Sequence, residues 1–170
     1  MDKIAKSYQN NEWVEWIVYL FDYSKQQFQW KTGTRKPNNT SYAGVAPTVQ
    51  ILVDGSVKLT YDKPSNQANS GTFEMEEPYD LTGKKEITIY YNSATTLTGN
   101  SNPFRLVLFK SDTGYDERYA TIDLTHIDNK VTLPISGIGL CYIGILAETN
   151  GWETSEPSSK SIIIEKIENR

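Results

Sequence analysis

Between Glu86 and Lys110 the chain carries two apolar runs, EITIYYN and FRLVLFK, separated by a polar loop, and their period-2 lettering dictates extended backbone. In the first run Ile87, Ile89 and Tyr91 share one side and Thr88, Tyr90 and Asn92 the other, the pattern of a half-buried strand. In the second, Phe104, Leu106 and Leu108 alternate with Arg105, Val107 and Phe109. Both faces are therefore largely apolar, which predicts a central strand. A turn at Asp80-Leu81-Thr82-Gly83 leads in, and a loop rich in Thr, Asn and Gly, Ala94 to Pro103, joins the two runs.

The remaining segments repeat this pattern. Met1 to Glu12 is polar, with Ile4 and Tyr8 four apart as on a short helix face, and has too little apolar surface to fold alone. It is expected to be a flexible or partner-attachment segment, leaving 13–170 as a single domain. Trp13 to Phe21, WVEWIVYLF, reads as a first strand, with a helical alternative because Trp13, Trp16, Ile17 and Leu20 also share a helix face. Gln27 to Thr32 follows as a strand. In TVQILVDGSVKLTY, Asp54-Gly55 joins two alternating runs, which predicts a hairpin with a type I′ turn. GTFEME, Glu117 to Thr125, Lys130 to Ile135, Leu140 to Glu148 and Lys160 to Glu168 complete about ten strands, at a spacing that predicts an all-β sandwich or barrel. No strand alternates with a long helical pattern, so a parallel α/β layout is excluded.

Composition narrows the function classes. The net charge is −4 and the basic residues are scattered, which leaves no footprint for nucleic acid. The amino terminus lacks the apolar core of a secretory signal, and no run approaches the ~20 apolar residues of a spanning helix. Synthesis in the cytoplasm without a signal peptide, and no membrane insertion, are expected. Cys141 is the only cysteine, so no internal disulfide forms, and the only histidine, His126, sits in the turn-like THIDN. One Cys and one His make neither a zinc site nor a plausible catalytic triad. Calcium needs only oxygen ligands, and Asp22, Asp62, Asp123 and Glu165 fall near strand ends. Glu74, Glu76, Glu77, Asp80, Asp112, Asp116, Glu117 and Glu148 keep a polysaccharide hydrolase open as an alternative, because such enzymes need only two converging carboxylates.

Recognition by aromatic rings is the chemistry that remains. With 11 Tyr and 4 Trp, the chain is rich in side chains that pair an apolar body with a polar tip. Tyr42 in NTSYAG, Tyr115 in TGYDE and Trp152 in NGWE lie in turn-type sequence, where burial is hard to arrange. Arg105 and Tyr90, on the non-core sides of the two organising strands, are expected to line a groove with them. A sugar stacks its C–H face on such rings while polar neighbours take its hydroxyls, and no catalytic group is required.

The order YLFDYSKQQFQW, QILVDGSVKLTY, YDLTGKKEITIYYNS, FRLVLFKSDTGYDERYATIDLT, KVTLPISGIGLCYIGILAE and KSIIIEKIE resembles carbohydrate-binding-module-like jelly-roll domains of bacteriophage tail, baseplate and fibre proteins. The likeness runs from Tyr19 onward, through the D-L-T-G-K-K-x-I-T entry into a long strand, the G-Y-D loop, and the I-S-x-I strand before the last loop. It implies a jelly-roll-like antiparallel sandwich, a virion location and a non-enzymatic binding role toward host-surface or environmental glycans, with a structural calcium in some members. For this chain it implies a small virion component that contacts other virion proteins through its N-terminal segment and is oligomeric in the particle. A purely architectural subunit is the alternative within that setting.

Overall fold

The computed structural model describes residues 6–9, 12–15, 18–21, 28–35, 44–62, 69–92, 95, 104–112, 116–149 and 159–170. The described backbone contains fourteen strands and no helix: β1 (Lys6–Gln9), β2 (Glu12–Glu15), β3 (Val18–Phe21), β4 (Trp30–Thr34), β5 (Thr48–Ile51), β6 (Val57–Asp62), β7 (Asn69–Met75), β8 (Tyr79–Asp80), β9 (Glu86–Asn92), β10 (Phe104–Phe109), β11 (Arg118–Leu124), β12 (Lys130–Pro134), β13 (Leu140–Thr149) and β14 (Ser159–Asn169). The expected ten become fourteen because short edge pieces such as β8 are separate strands and Trp13 to Phe21 divides into β2 and β3. The helical alternatives fall away where the backbone is described, since β1 and β2 pair as an antiparallel hairpin.

Two six-stranded antiparallel sheets form the body. Sheet I has the order β11-β10-β13-β7-β4, with β8 joined to β13, and sheet II the order β12-β9-β14-β6-β5, with β3 joined to β14. From β9 onward the chain passes from sheet II to the β10–β11 hairpin of sheet I, back to β12 of sheet II, then to β13 of sheet I and β14 of sheet II. The result is the expected all-β, jelly-roll-like antiparallel sandwich.

Alternation decides what each sheet buries. Ile87, Ile89 and Tyr91 of β9 meet Leu106 and Leu108 of β10, Ile143 and Ile145 of β13, and Ile162 and Ile164 of β14 between the layers, all at or near zero exposure. Each such aliphatic side chain stabilises the fold by ~1.5–3 kcal/mol. Three side chains depart from an all-apolar interior, and the first is Asn169 of β14, 1% exposed, which donates to the Tyr79 hydroxyl at 3.2 Å. Cys141 is buried there as a free thiol. Lys160 of β14, 2% exposed, sits over the rings of Tyr61 (5.9 Å) and Phe104 (5.7 Å) and donates to the Glu148 carbonyl.

The β5–β6 hairpin forms, but by a different turn. The Gly55 N–H donates to the Leu52 carbonyl across Val53-Asp54, and Gly55 itself takes φ +84°. Asp54-Gly55 is thus not the central pair of a two-residue turn; the glycine follows the turn as a left-handed bulge residue. Asp54 accepts from the Ser56 amide (3.0 Å) and hydroxyl (2.6 Å). Val53 is fully exposed at the tip, and Ile51 is half exposed, because β5 is an edge strand.

Candidate functional site

Tyr42, Tyr115 and Trp152 lie outside the described residues. Tyr90 and Arg105 are both on the non-core side of their strands, as alternation requires, yet they do not share a groove. β9 belongs to sheet II and β10 to sheet I, so the two side chains project from opposite outer faces of the sandwich. Closeness in the chain misleads here because the strand succession crosses the core between Asn92 and Phe104.

Around Arg105 the outer face of sheet I carries a charge network. Arg105 stands opposite Asp123 of β11 and Leu146 of β13. Its Nε donates to Asp123 Oδ1 at 2.8 Å and its Nη1 to Glu148 Oε2. Glu148 also takes Arg118 Nη2 at 2.5 Å, and Arg118 Nε donates to Asp116 Oδ1 at 2.6 Å. The partners hold the Arg118 guanidinium, led by Asp116, well above the usual arginine range. From inside, the Lys160 ammonium pins the backbone carbonyl of Glu148 and so fixes the centre of the network.

These contacts show that the face is concave. Arg118 pairs with Phe109, which pairs with Tyr142, whereas Glu148 lies six residues further along β13, ~20 Å on a straight strand. Two side chains do not bridge that span on a flat sheet. A second contact crosses the same distance: Arg35, whose carbonyl accepts from the Ser70 hydroxyl beside Glu148, lays its guanidinium over the Phe109 ring at 3.9 Å and donates to the Ser111 carbonyl at 2.5 Å.

The floor of this trough is a small second core of Val107, Phe109 and Leu146, flanked by the half-buried Tyr142. Arg35 covers it and forms a bidentate pair with Glu74, Nε to Oε2 at 2.8 Å and Nη2 to Oε1 at 3.0 Å, with side-chain exposures of 2% and 7%. Glycine at 144 permits the close packing, since a Cβ there would stand 2.8 Å from Glu74 Cβ and 3.1 Å from Phe109 Cε2. Burial, then the charges of Asp112 and Glu77, push the Tyr142 hydroxyl above its ordinary pKa.

Two aromatics of this face were not anticipated. Tyr142 shares its side of β13 with Gly144, Leu146 and Glu148, a pattern visible in the sequence once that side is taken as an outer face. Tyr119 is the extra residue of a β-bulge, since pairing skips from Leu108↔Ala120 to Phe109↔Arg118. The bulge turns Arg118 and Tyr119 toward the same side and leaves Tyr119 49% exposed. Sequence alone does not show a bulge.

On the opposite face, Tyr90 is flanked by its cross-strand neighbours Lys130 and Lys166, whose ammonium groups lie 5.0 Å and 4.1 Å from its ring centroid. Its hydroxyl donates to Glu168 at 3.1 Å. Cations, not open space, flank this ring. Beside it is a cavity of ≈340 Å³.

Of the carboxylates considered for calcium, Asp123 pairs with Arg105 on sheet I, Glu165 borders the cavity on sheet II and Asp62 ends β6, while Asp22 lies outside the described residues. Among the described residues no three His, Cys, Asp or Glu side chains gather as a metal-ligating group. Of those considered for hydrolysis, Asp116 and Glu148 converge, but both are committed to Arg118.

No protein-family model matches the chain, and no curated protein matches it. Solved structures do. A low-affinity xylan binding module, CBM86, from the gut symbiont Roseburia intestinalis aligns over 84% of this chain and 95% of its own, at 17% identity and TM-score 0.50. A family 11 carbohydrate-binding module from Clostridium thermocellum, in complex with a β-1,3-1,4-mixed-linked tetrasaccharide, aligns over 90% and 94%, at 13% identity and TM-score 0.51. The family 11 module of a cellulosomal cellulase from the same organism aligns over 90% and 93%, at 13% identity and TM-score 0.52. The chain thus has the fold of carbohydrate-binding modules.

Proposed function

We propose that this protein is a non-catalytic glycan-binding module that grips an extended, neutral polysaccharide in the trough of sheet I. The observation that carries this reading is the Asp123–Arg105–Glu148–Arg118–Asp116 network on a concave face bordered by Tyr142 and Tyr119. Guanidinium edges donate in pairs and carboxylates accept in pairs, which matches vicinal hydroxyls, and three carboxylates against two guanidiniums leave a single net negative charge, a weak field for selecting a charged chain. The tyrosines offer apolar ring faces to sugar C–H groups. Support for the ligand class comes from fold neighbours whose own ligands are xylan and a mixed-linked glucan. The setting we propose, a bacteriophage tail, fibre or decoration component acting on host-surface glycans, draws on the strand motifs alone, with residues 1–12 as the attachment segment to other virion proteins.

Calorimetric titration with xylan, mixed-linkage β-glucan and host cell-wall polysaccharide tests the binding. Arg105→Ala removes charge-assisted hydrogen bonds worth ~1.5–3 kcal/mol each and is expected to weaken binding by ~10-fold or more. Absence of binding to all three polymers, or unchanged affinity in that variant, refutes the reading. Mass spectrometry of purified particles tests the virion setting.

A further inference from the structure

The outer face of sheet II carries a second constellation, on the other side of the core from the trough. β9 runs between β12 and β14, so Tyr90 is flanked by Lys130 and Lys166. The Tyr90 hydroxyl is held by Glu168, which also takes Lys166 Nζ at 3.1 Å. The ring is therefore fixed in place. On β14 the pairing slips between Ile164 and Lys166, leaving Glu165 as an inserted, exposed residue. Bulges of this kind re-aim a side chain, and Glu165 borders the cavity at Tyr90.

Tyr90, Tyr91, Asn92, Asn129, Lys130 and Glu165 line that cavity. Its wall is firm: the Tyr91 N–H donates to the Asn129 carbonyl at 3.0 Å, tying the turn between β11 and β12 to β9, and within that turn Thr125 Oγ1 donates to Asp128 Oδ2 at 2.8 Å. At ≈340 Å³ it lies at the low end of the ~300–1,000 Å³ of ligand pockets, room for one sugar ring.

The lining chemistry selects the occupant. Lys130 donates only, Glu165 accepts only, and the side-chain amide of Asn129 does both. A neutral polyol, whose hydroxyls each donate and accept, satisfies all three. An anionic ligand meets Glu165 with like charge, and a cationic one meets Lys130. We infer that this cavity is a second binding site, separate from the trough, for a single neutral sugar unit. It does not rest on the polysaccharide reading, because it shares no residue with sheet I.

The test is an amide ¹H–¹⁵N NMR titration of the full chain with glucose, galactose and xylose, set against glucuronate and glucosamine. Neutral sugars are expected to produce saturable shifts at Tyr90, Asn92, Asn129 and Glu165. Lys130→Ala and Glu165→Ala each weaken this binding about tenfold while retaining the wild-type spectrum elsewhere. Arg105→Ala leaves it unchanged. The inference is overturned if shifts occur only around Arg105, Tyr142 and Glu148, if glucuronate or glucosamine binds as well as the neutral sugars, or if no sugar binds at ~100 mM, well beyond millimolar affinity. The first of these outcomes leaves the trough reading standing; loss of trough binding with the cavity shifts intact does the reverse.

Discussion

Replacing Arg35 by methionine keeps most of its length and apolar stem but deletes the charge that covers the trough floor. The guanidinium is 2% exposed, makes both arms of a bidentate pair with Glu74, donates to the Ser111 carbonyl and lies 3.9 Å over Phe109. Removing one member of a buried pair costs ~3–5 kcal/mol, chiefly because the remaining carboxylate is left desolvated without a counter-charge. With a urea m-value of ~2 kcal/mol/M, the unfolding midpoint falls by about 2 M. Because the penalty resides in the orphaned Glu74, the double variant Arg35→Met/Glu74→Leu is expected to return to within ~1 kcal/mol of wild type, giving a coupling energy of several kcal/mol in the cycle. Urea unfolding of the four proteins, followed by far-UV circular dichroism, measures it. A loss below ~1 kcal/mol in Arg35→Met, or a double variant no more stable than the sum of the singles, refutes the reasoning.

Further outcomes follow from other parts of the fold. Burial pushes the Cys141 thiol up to about 12, so the stability held in its neutral form is complete below the unfolded value near 9.0 and is lost as pH rises toward about 12. Tyr91, raised first by burial, acts in the same direction. Urea midpoints of wild type from pH 8 to 11 are expected to fall more steeply than those of Cys141→Ala, and a thiol reagent is expected to label Cys141 only on unfolding. Gly144→Ala places a Cβ 2.8 Å from Glu74 Cβ and is expected to cost ~1–3 kcal/mol by thermal melting. Tyr119→Ala, at a 49% exposed ring, is expected to leave stability within ~0.5 kcal/mol while weakening polysaccharide binding about tenfold by calorimetry.

Much of the fold was legible because alternation is a local property. Ile87, Ile89 and Tyr91 of β9 are buried as the split requires and Tyr90 and Asn92 face outward, with Thr88 alone of that side buried, against Thr132 of β12, and β10 is central as its two apolar faces require. What alternation does not say is which strand lies beside which. Tyr90 and Arg105 therefore read as companions, although strand pairing puts the core between them. Phe109 lies on an apolar outer face as read, but its cover is Arg35, distant in the chain and held there by Glu74 and the Ser111 carbonyl. Tyr119 and Tyr142 were passed over because the rings sought were those of loops and of the two organising strands, whereas a bent sheet presents its other strands as a surface too. Ile4 and Tyr8, four apart, formed too weak a pattern to set against the hairpin of β1 and β2.

Strand β14 is hydrogen-bonded to β3, β6 and β9, all of which precede it in the chain. A ribosome-bound chain that stops short of Ser159 thus carries sheet II as unjoined pieces, with the bare edges of β6 and β9 open to each other or to neighbouring nascent chains. Assembly of that layer is a late event of high contact order, and a slow step is expected there. Truncations ahead of Ser159 are therefore expected to aggregate instead of yielding a smaller working domain.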